Sequence, residues 1–448
     1  MDYISFQQAV IAKAQAMGIS EYELYYSAGE STSISVFRQE INEFSSAVDG
    51  GVCFRCIVGG KMGYAATESL TEREAAAIVE RAVDNASVLE AKEPVFLGEG
   101  GKTYAPLTVE GYDLPGTEAL VDTALQTQKK LYDADSRVID GTEVQVIAQR
   151  SQIAICNSRG LDLRYDNTVT GMGAMAVVSD GKEMADAFQI KMGKLSELDT
   201  DAMTAKAAAK ALSRLGGDVA PTGQYPIVFS PEAVAALLQT FSGIFSSENA
   251  QKGLSKLAGS EGQVVASSVV NLMDDPFHPE NPMPIPFDAE GSPTACKAVI
   301  EGGVLKTLLY NLKTAAVAGK QTSGNASKAG YDAPVAVRPF SFYLVGGQMT
   351  EEELLAKAGN GVYIDSLEGL HSGANPISGD FSLQGGGYLL ENGRLTTAVK
   401  SFTVAGNFFD LLKNIVAVAD NSHLPMAMGM TAFGGPSILV EGLSVAGK

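Results

Sequence analysis

The stretch SGDFSLQGGGYLLENG, Ser378 to Gly393, followed by Ala405-Gly406-Asn407 and the apolar run Phe408 to Ile415, decides how this chain reads. It predicts a loop, a triple-glycine approach, an alternating strand from Gly387 to Glu391 and a two-residue Asn392-Gly393 turn that needs positive φ. Gly385, Gly386 and Gly387 lack a Cβ, so another backbone can come close. A sheet edge receiving an extended peptide has that requirement.

Around this segment, from about Tyr225 onward, short strands alternate with glycine and proline turns: Ala298 to Ile300, Val304 to Tyr310, Phe340 to Val345 and Gly361 to Ile364. Thr350 caps a helix from Glu351 to Ala358 between them. The spacing predicts a large, mostly antiparallel, partly barrel-like sheet. The first half reads differently. A helix near Phe6 to Met17 precedes strands at Tyr22 to Tyr26, Thr32 to Phe37, Val52 to Val58 and Met62 to Ala66; Thr71 with Glu74 then forms a capping box for a helix to about Val88. After the glycine-bearing connection Gly98 to Lys102 the plan repeats. A helix Thr117 to Ala134 leads into strands at Glu143 to Ala148, Gln152 to Asn157, Asp162 to Tyr165, Met172 to Val178 and Glu183 to Ile190, then a helix Asp201 to Leu215. The expected fold is α+β: helix-flanked sheet units over 1–97 and 103–217, suggestive of duplication, then a β-rich domain over 223–448.

Of 448 residues, 52 are acidic and 33 basic, a formal charge of −19, which disfavours direct binding of nucleic acid. The N-terminus lacks a basic region followed by an apolar core, and no apolar run approaches membrane-spanning length, so no membrane association and a cytoplasmic location are expected. Four cysteines make no disulfide framework. Cys53 and Cys56 form CxxC within an apparent strand, where positions three apart face opposite ways, so two small buried residues are favoured over a redox or metal pair. No GxSxG elbow and no GxxxxGK[ST] loop occurs.

The segment at 378–393 resembles the C-terminal signature of the TldD/PmbA family. Similar landmarks are Pro286-Phe287-Asp288-Ala289-Glu290-Gly291, Gly324-Asn325, Lys413 to Val418, and the block Gly51 to Val58 running on to Gly63-Tyr64-Ala65. One branch of that family carries HExxxH on a helix, with two zinc-binding histidines and a glutamate as general base. The corresponding helix here opens at Ser230-Pro231-Glu232, and aligned by its start the three positions fall on Gln239, Thr240 and Ile244. None can do the metal chemistry. His278, His371 and His423 are the only histidines, and the C-terminus lacks the cysteine of the zinc branch.

The resemblance is therefore to the metal-free PmbA branch, also called TldE, and it implies no catalytic residue, metal or cofactor in this chain. It implies a cytoplasmic heterodimer that cleaves unstructured peptides. A TldD-like metallopeptidase subunit supplies zinc, base and water, while this chain closes the cavity and helps hold the peptide. Candidate contacts with peptide or partner are His371, Gly379, Asp380, Phe381, Ser382, Gly385, Gly386, Gly387 and Asn407. The older family label, modulator of DNA gyrase, implies an alternative: a binding protein that acts without proteolysis. An unusual peptidase site around His371 and Asp380 is a third and weaker reading.

Plain readings stand beside the sharp ones. Asp380 could cap its own turn, and His371 could be a solvated loop residue. Asn325 and Asn407 could serve turns, and Phe408, Phe409, Leu411 and Leu412 could be core as readily as a partner anchor. Asp274, Asp275, Asp288 and Glu290 lack EF-hand spacing, which favours a solvated or turn-forming acidic loop over a metal site.

Overall fold

In the computed structural model, which describes residues 1–90, 94–106, 113–428 and 431–448, Tyr22–Phe37 (β1) is one unbroken strand. The sequence pattern loses it at Ser27 to Ser31, where Ser, Ala, Gly and Glu residues leave no apolar alternation to read. Pairing continues because Glu40–Val58 (β2) and Glu143–Asn157 (β4) hydrogen-bond to β1 on both sides along most of its length. For the same reason β4 and Asp162–Ser179 (β5), each expected as two strands, are continuous. With Lys61–Thr67 (β3) and Met184–Gly193 (β6) they form a sheet of order β3-β2-β1-β4-β5-β6.

Each half of this sheet contributes three strands and two helices. Tyr3–Ala16 (α1) and Glu72–Val88 (α2) pack Phe6 and Ile78 onto Leu24 and Phe54. Thr117–Ala134 (α3) and Thr200–Ser213 (α4) pack Leu120 and Ala207 onto Ile34, Val146 and Met172. Since Leu24 and Ile34 have the same parity along β1, all four helices cover one face. Thr71 caps α2 through Glu74 N, but the Glu74 side chain pairs with Arg81 in place of closing the box. The opposite face meets the C-terminal half, where Tyr25, Ile155 and Tyr165 pack against Ile285, Phe287 and Phe340. At α4, Asp365, 5% exposed, binds Lys210 at 3.2 Å and Arg214 at 2.7 Å, fixing the helix to the C-terminal half.

In that half, strands Gly223–Phe229, Gly361–Glu368, Asp380–Glu391, Arg394–Asn407 and Ile438–Ala446 pair in sequence, and the last returns to both Gly223–Phe229 and Arg394–Asn407. The result is a closed five-stranded barrel, antiparallel except where Gly223–Phe229 runs parallel to Gly361–Glu368. Its filling includes Phe229, Val362, Ile364, Leu383, Phe402 and Val404. A second sheet contains Leu272–Asp274, Ser341–Leu344 and Thr431–Gly435. Between the two lies Pro231–Phe241 (α5), capped by Ser230 Oγ on Ala233 N at 3.3 Å and buried almost all round, as a helix between two sheets must be. The stretch expected as a strand from Val304 to Tyr310 is a strand only at Val304–Leu305; beyond it Leu308 N turns to Glu261.

Candidate functional site

The C-terminal end of α5 gathers most of the residues singled out above. The helix stops at Phe241 and tightens into a 3-10 turn, Ser242–Phe245. Gln239 and Thr240 are half-buried, and the Thr240 hydroxyl donates back to Ala236 O at 2.8 Å. Ile244 is 1% exposed in the main core. A zinc ion needs basic nitrogen, sulfur or carboxylate donors in a tetrahedral set. An amide, a satisfied hydroxyl and a core isoleucine do not fit one. Among the described residues no group of three or more His, Cys, Asp or Glu stands close enough to hold a metal ion.

Beside this helix end, the one-turn helix Leu370–Gly373 packs against α5 and against the start of Asp380–Glu391. His371 on that turn is exposed, as are Asp380 and Ser382. Phe381 alternates inward, 4% exposed, against Phe241, which also stacks on Phe408 with ring centroids 4.5 Å apart. Phe381, Phe408, Leu411 and Leu412 are therefore core, and Phe381 is withdrawn as a contact residue. Gly379 has φ +84 and lies under the Phe409 ring, so it shapes the turn.

The Asp380 carboxylate does not cap its own turn. It accepts from Asn407 Nδ2 at 2.8 Å, and this bond, with one to Ser378, holds it below the usual carboxylate range. Asn407 also donates to Ser378 O at 3.0 Å and accepts from Phe409 N at 3.0 Å, capping the helix Phe408–Lys413. Lys256 completes the group, donating to Ser378 O at 2.6 Å with its ammonium 5.2 Å from the Phe409 ring. Nothing local in the sequence marks Lys256, which stands 122 residues from its partner. Asn407→Ala is expected to destabilise the protein by about 1 kcal/mol through the lost cap. The Asp380 carboxyl should then titrate upward, read by carbon NMR.

The triple glycine does not form a free edge. Gly385, Gly386 and Gly387 pair with Leu367, Ser366 and Ile364 on one side, and Gly385 and Gly387 with Phe402 and Val399 on the other. A Cβ on Gly385 would meet the Phe402 ring at 2.6 Å, and one on Gly386 the Ser366 hydroxyl at 2.6 Å. The close approach is real, but the approaching chain is the barrel's own. The Asn392-Gly393 turn has the expected φ values, 51 and 75.

The acidic residues are not a solvated loop, but two of them form turns as expected: Asp275, half-buried, accepts from Phe277 N and Asp288 from Glu290 N, each two residues on. Asp274, Asp288 and Glu290 are 0%, 1% and 4% exposed. Asp288 accepts from the backbone N–H groups of Glu290, Ser292 and Ala326, tying two landmark segments together. Glu290 accepts from Leu312 N at 2.8 Å, and Arg55 acts on it electrostatically. Burial pushes both carboxyls up, and the Asp288 charge raises Glu290 further. The folded state therefore keeps protons that the unfolded chain has released, and stability should fall as pH rises from the ordinary carboxylate range towards neutrality. Glu290→Gln should remove a difference on the order of 1 kcal/mol between about pH 5 and about pH 8, measured by denaturant titration.

Cys53 and Cys56 are both buried on opposite faces of β2, as expected: Cys56 belongs to the helix-covered core and Cys53 does not. No described helix is long and apolar enough to cross a membrane.

Comparison with known proteins agrees with this architecture along the chain. Residues 22–86, 112–215 and 222–447 match, in order, domain 1, the central domain and the C-terminal domain of the PmbA/TldA metallopeptidases. A crystal structure of a putative modulator of a DNA gyrase from Thermotoga maritima superposes with a TM-score of 0.90 at 31% identity, over 99% of this chain and 100% of that one. TldE from Thermococcus kodakarensis has the same fold, with a TM-score of 0.89 at 23% identity over 98% of this chain and 100% of that one. The metalloprotease PmbA homolog of Haemophilus influenzae is 25% identical over 93% of this chain and 90% of its own length. With all three domains matched in order, the chain belongs to the PmbA/TldD metallopeptidase family.

Proposed function

We propose that this chain is the non-catalytic subunit of a two-subunit metallopeptidase that acts on unstructured peptides in the cytoplasm, with zinc, general base and water supplied by a TldD-like subunit. The observation that carries the reading is the occupancy of the metal-motif positions by Gln239, Thr240 and Ile244, the last sealed in the core. The family match supplies the reaction class, hydrolysis of peptide bonds. A closed barrel has no edge to offer at Gly385 to Gly387, so the peptide is not held there as an added strand. Holding it falls to exposed side chains at the end of α5: His371, Ser382 and Asp380, whose carboxylate Asn407 keeps ionised and oriented.

Cleavage of an unstructured peptide by an HExxxH-bearing relative from the same organism should rise by about tenfold or more when this chain is added. Asp380→Ala in the pair should raise KM several-fold with kcat nearly unchanged, the pattern of lost uniform binding. Full activity of the relative by itself, indifferent to this chain, would contradict the proposal.

A further inference from the structure

Where the far face of β2 and β3 meets the C-terminal loops, a cavity of about 430 Å³ opens. Its wall reverses the sign of the molecule. In a chain of net charge −19, Arg55, Lys61, Lys313 and Lys328 line it against one carboxylate, Glu290, among the described residues. One of these cations has N–H groups to spare. Lys328 Nζ rests 4.8 Å from the Tyr25 ring and has no hydrogen-bond or ion-pair partner among the described residues. Arg55 directs both Nε, at 2.7 Å, and Nη2, at 2.6 Å, onto the single oxygen Glu23 Oε1. Nη2 is ion-paired but left buried without a hydrogen bond of good geometry, so Arg55 adds positive charge beside Lys328. Buried donors left unmatched are uncommon and call for a partner.

The rest of the wall is mostly apolar, with Met62, Phe96 and Val335 among its residues beside Tyr64 and Asn311. A strongly hydrated dianion would lose its water against such a surface without full compensation. A monoanion with an apolar body matches both parts of the wall, and the volume suits a small organic molecule. We infer that this cavity binds a small monocarboxylate with an apolar body, its carboxylate held by Lys328 and Arg55 and its body against Met62, Phe96 and Val335. The raised affinity of Glu290 for its proton limits repulsion of such a ligand. The cavity lies between the domains, apart from the end of α5, so the inference does not rest on the peptidase reading.

The test is calorimetric titration of the full chain with N-acetyl-L-leucine, its neutral amide and inorganic phosphate, for wild type and Lys328→Met. Methionine keeps the packing of the lysine stem and removes the charge, and near-UV circular dichroism checks the fold. The acid should bind one to one, with the amide and phosphate each weaker by about tenfold or more, and Lys328→Met should weaken the acid by a similar factor. Equal binding of acid and amide, phosphate as tight as the acid, unchanged binding by the variant, or no saturable binding at millimolar concentration would each overturn it.

Discussion

Gly387→Ala is expected to destabilise the chain by ~3 kcal/mol or more and to lower its soluble yield sharply, because the added methyl has nowhere to go. A Cβ at this position would lie well inside contact distance of the Tyr363 carbonyl oxygen and 3.1 Å from Ile364 Cα, both backbone atoms of the neighbouring strand. A flexible side chain could swing aside, but a strand paired on both sides cannot: Gly387 pairs with Ile364 and with Val399. Relief would require parting the barrel between Gly361–Glu368 and Asp380–Glu391, whose inner surface is main core. Gly116→Ala is the control. That residue has an ordinary φ of −62 and open space around its Cβ direction, so the change should cost no more than the roughly 1 kcal/mol of a poorer N-cap on Thr117–Ala134. Equal effects of the two substitutions would show that close backbone approach is not what the barrel demands of Gly387.

Asp274→Ala should be as damaging for an electrostatic reason. The carboxylate is fully buried and serves three donors: Lys297 Nζ at 3.0 Å, Asn325 Nδ2 at 2.6 Å and Phe340 N at 2.7 Å. Removing it leaves a largely buried ammonium, an amide and a backbone N–H without their acceptor; breaking one side of such a buried pair typically costs about 3–5 kcal/mol. Asp274→Asn keeps an acceptor oxygen but not the charge facing Lys297, and an intermediate loss is expected. Replacing both partners, Asp274→Ala with Lys297→Met, should recover part of the stability, since the orphaned charge then goes too. Denaturant titration of the three variants measures this, and a double variant no better than Asp274→Ala alone would exclude the orphaned-charge explanation.

These two sites also show what the sequence exposes and what it hides. Helices with strong local signals are legible: Glu351–Ala358 follows from a complete Thr350–Glu353 capping box, and Thr117–Ala134 from its apolar spacing. The duplicated plan of the N-terminal sheet is legible from element order. Long strands are not, because β1 is carried through Ser27 to Ser31 by neighbours on either side and not by its own side chains. Three glycines in a row announce a close backbone approach without saying whose backbone it is. Asp274, Asp288 and Glu290 read as a solvated or turn-forming acidic loop; the turn at Asp288 is local and legible, but the burial is not, because the groups that surround them, Lys297, Asn325, Ala326 and Arg55, are scattered along the chain. At the candidate site the same limit applies: the Asp380–Asn407 bond spans 27 residues and the Lys256–Ser378 bond 122. The replaced metal positions are legible, since that argument needs only the start of α5 and the identities of Gln239, Thr240 and Ile244.

The most direct test of the account is zinc content measured together with cleavage of an unstructured peptide, for the purified chain alone and for the chain co-purified with an HExxxH-bearing subunit. The account predicts no stoichiometric zinc and no cleavage by the chain alone, with about one zinc per heterodimer and activity in the pair. One tightly held zinc per chain, with cleavage by this chain alone, would contradict it.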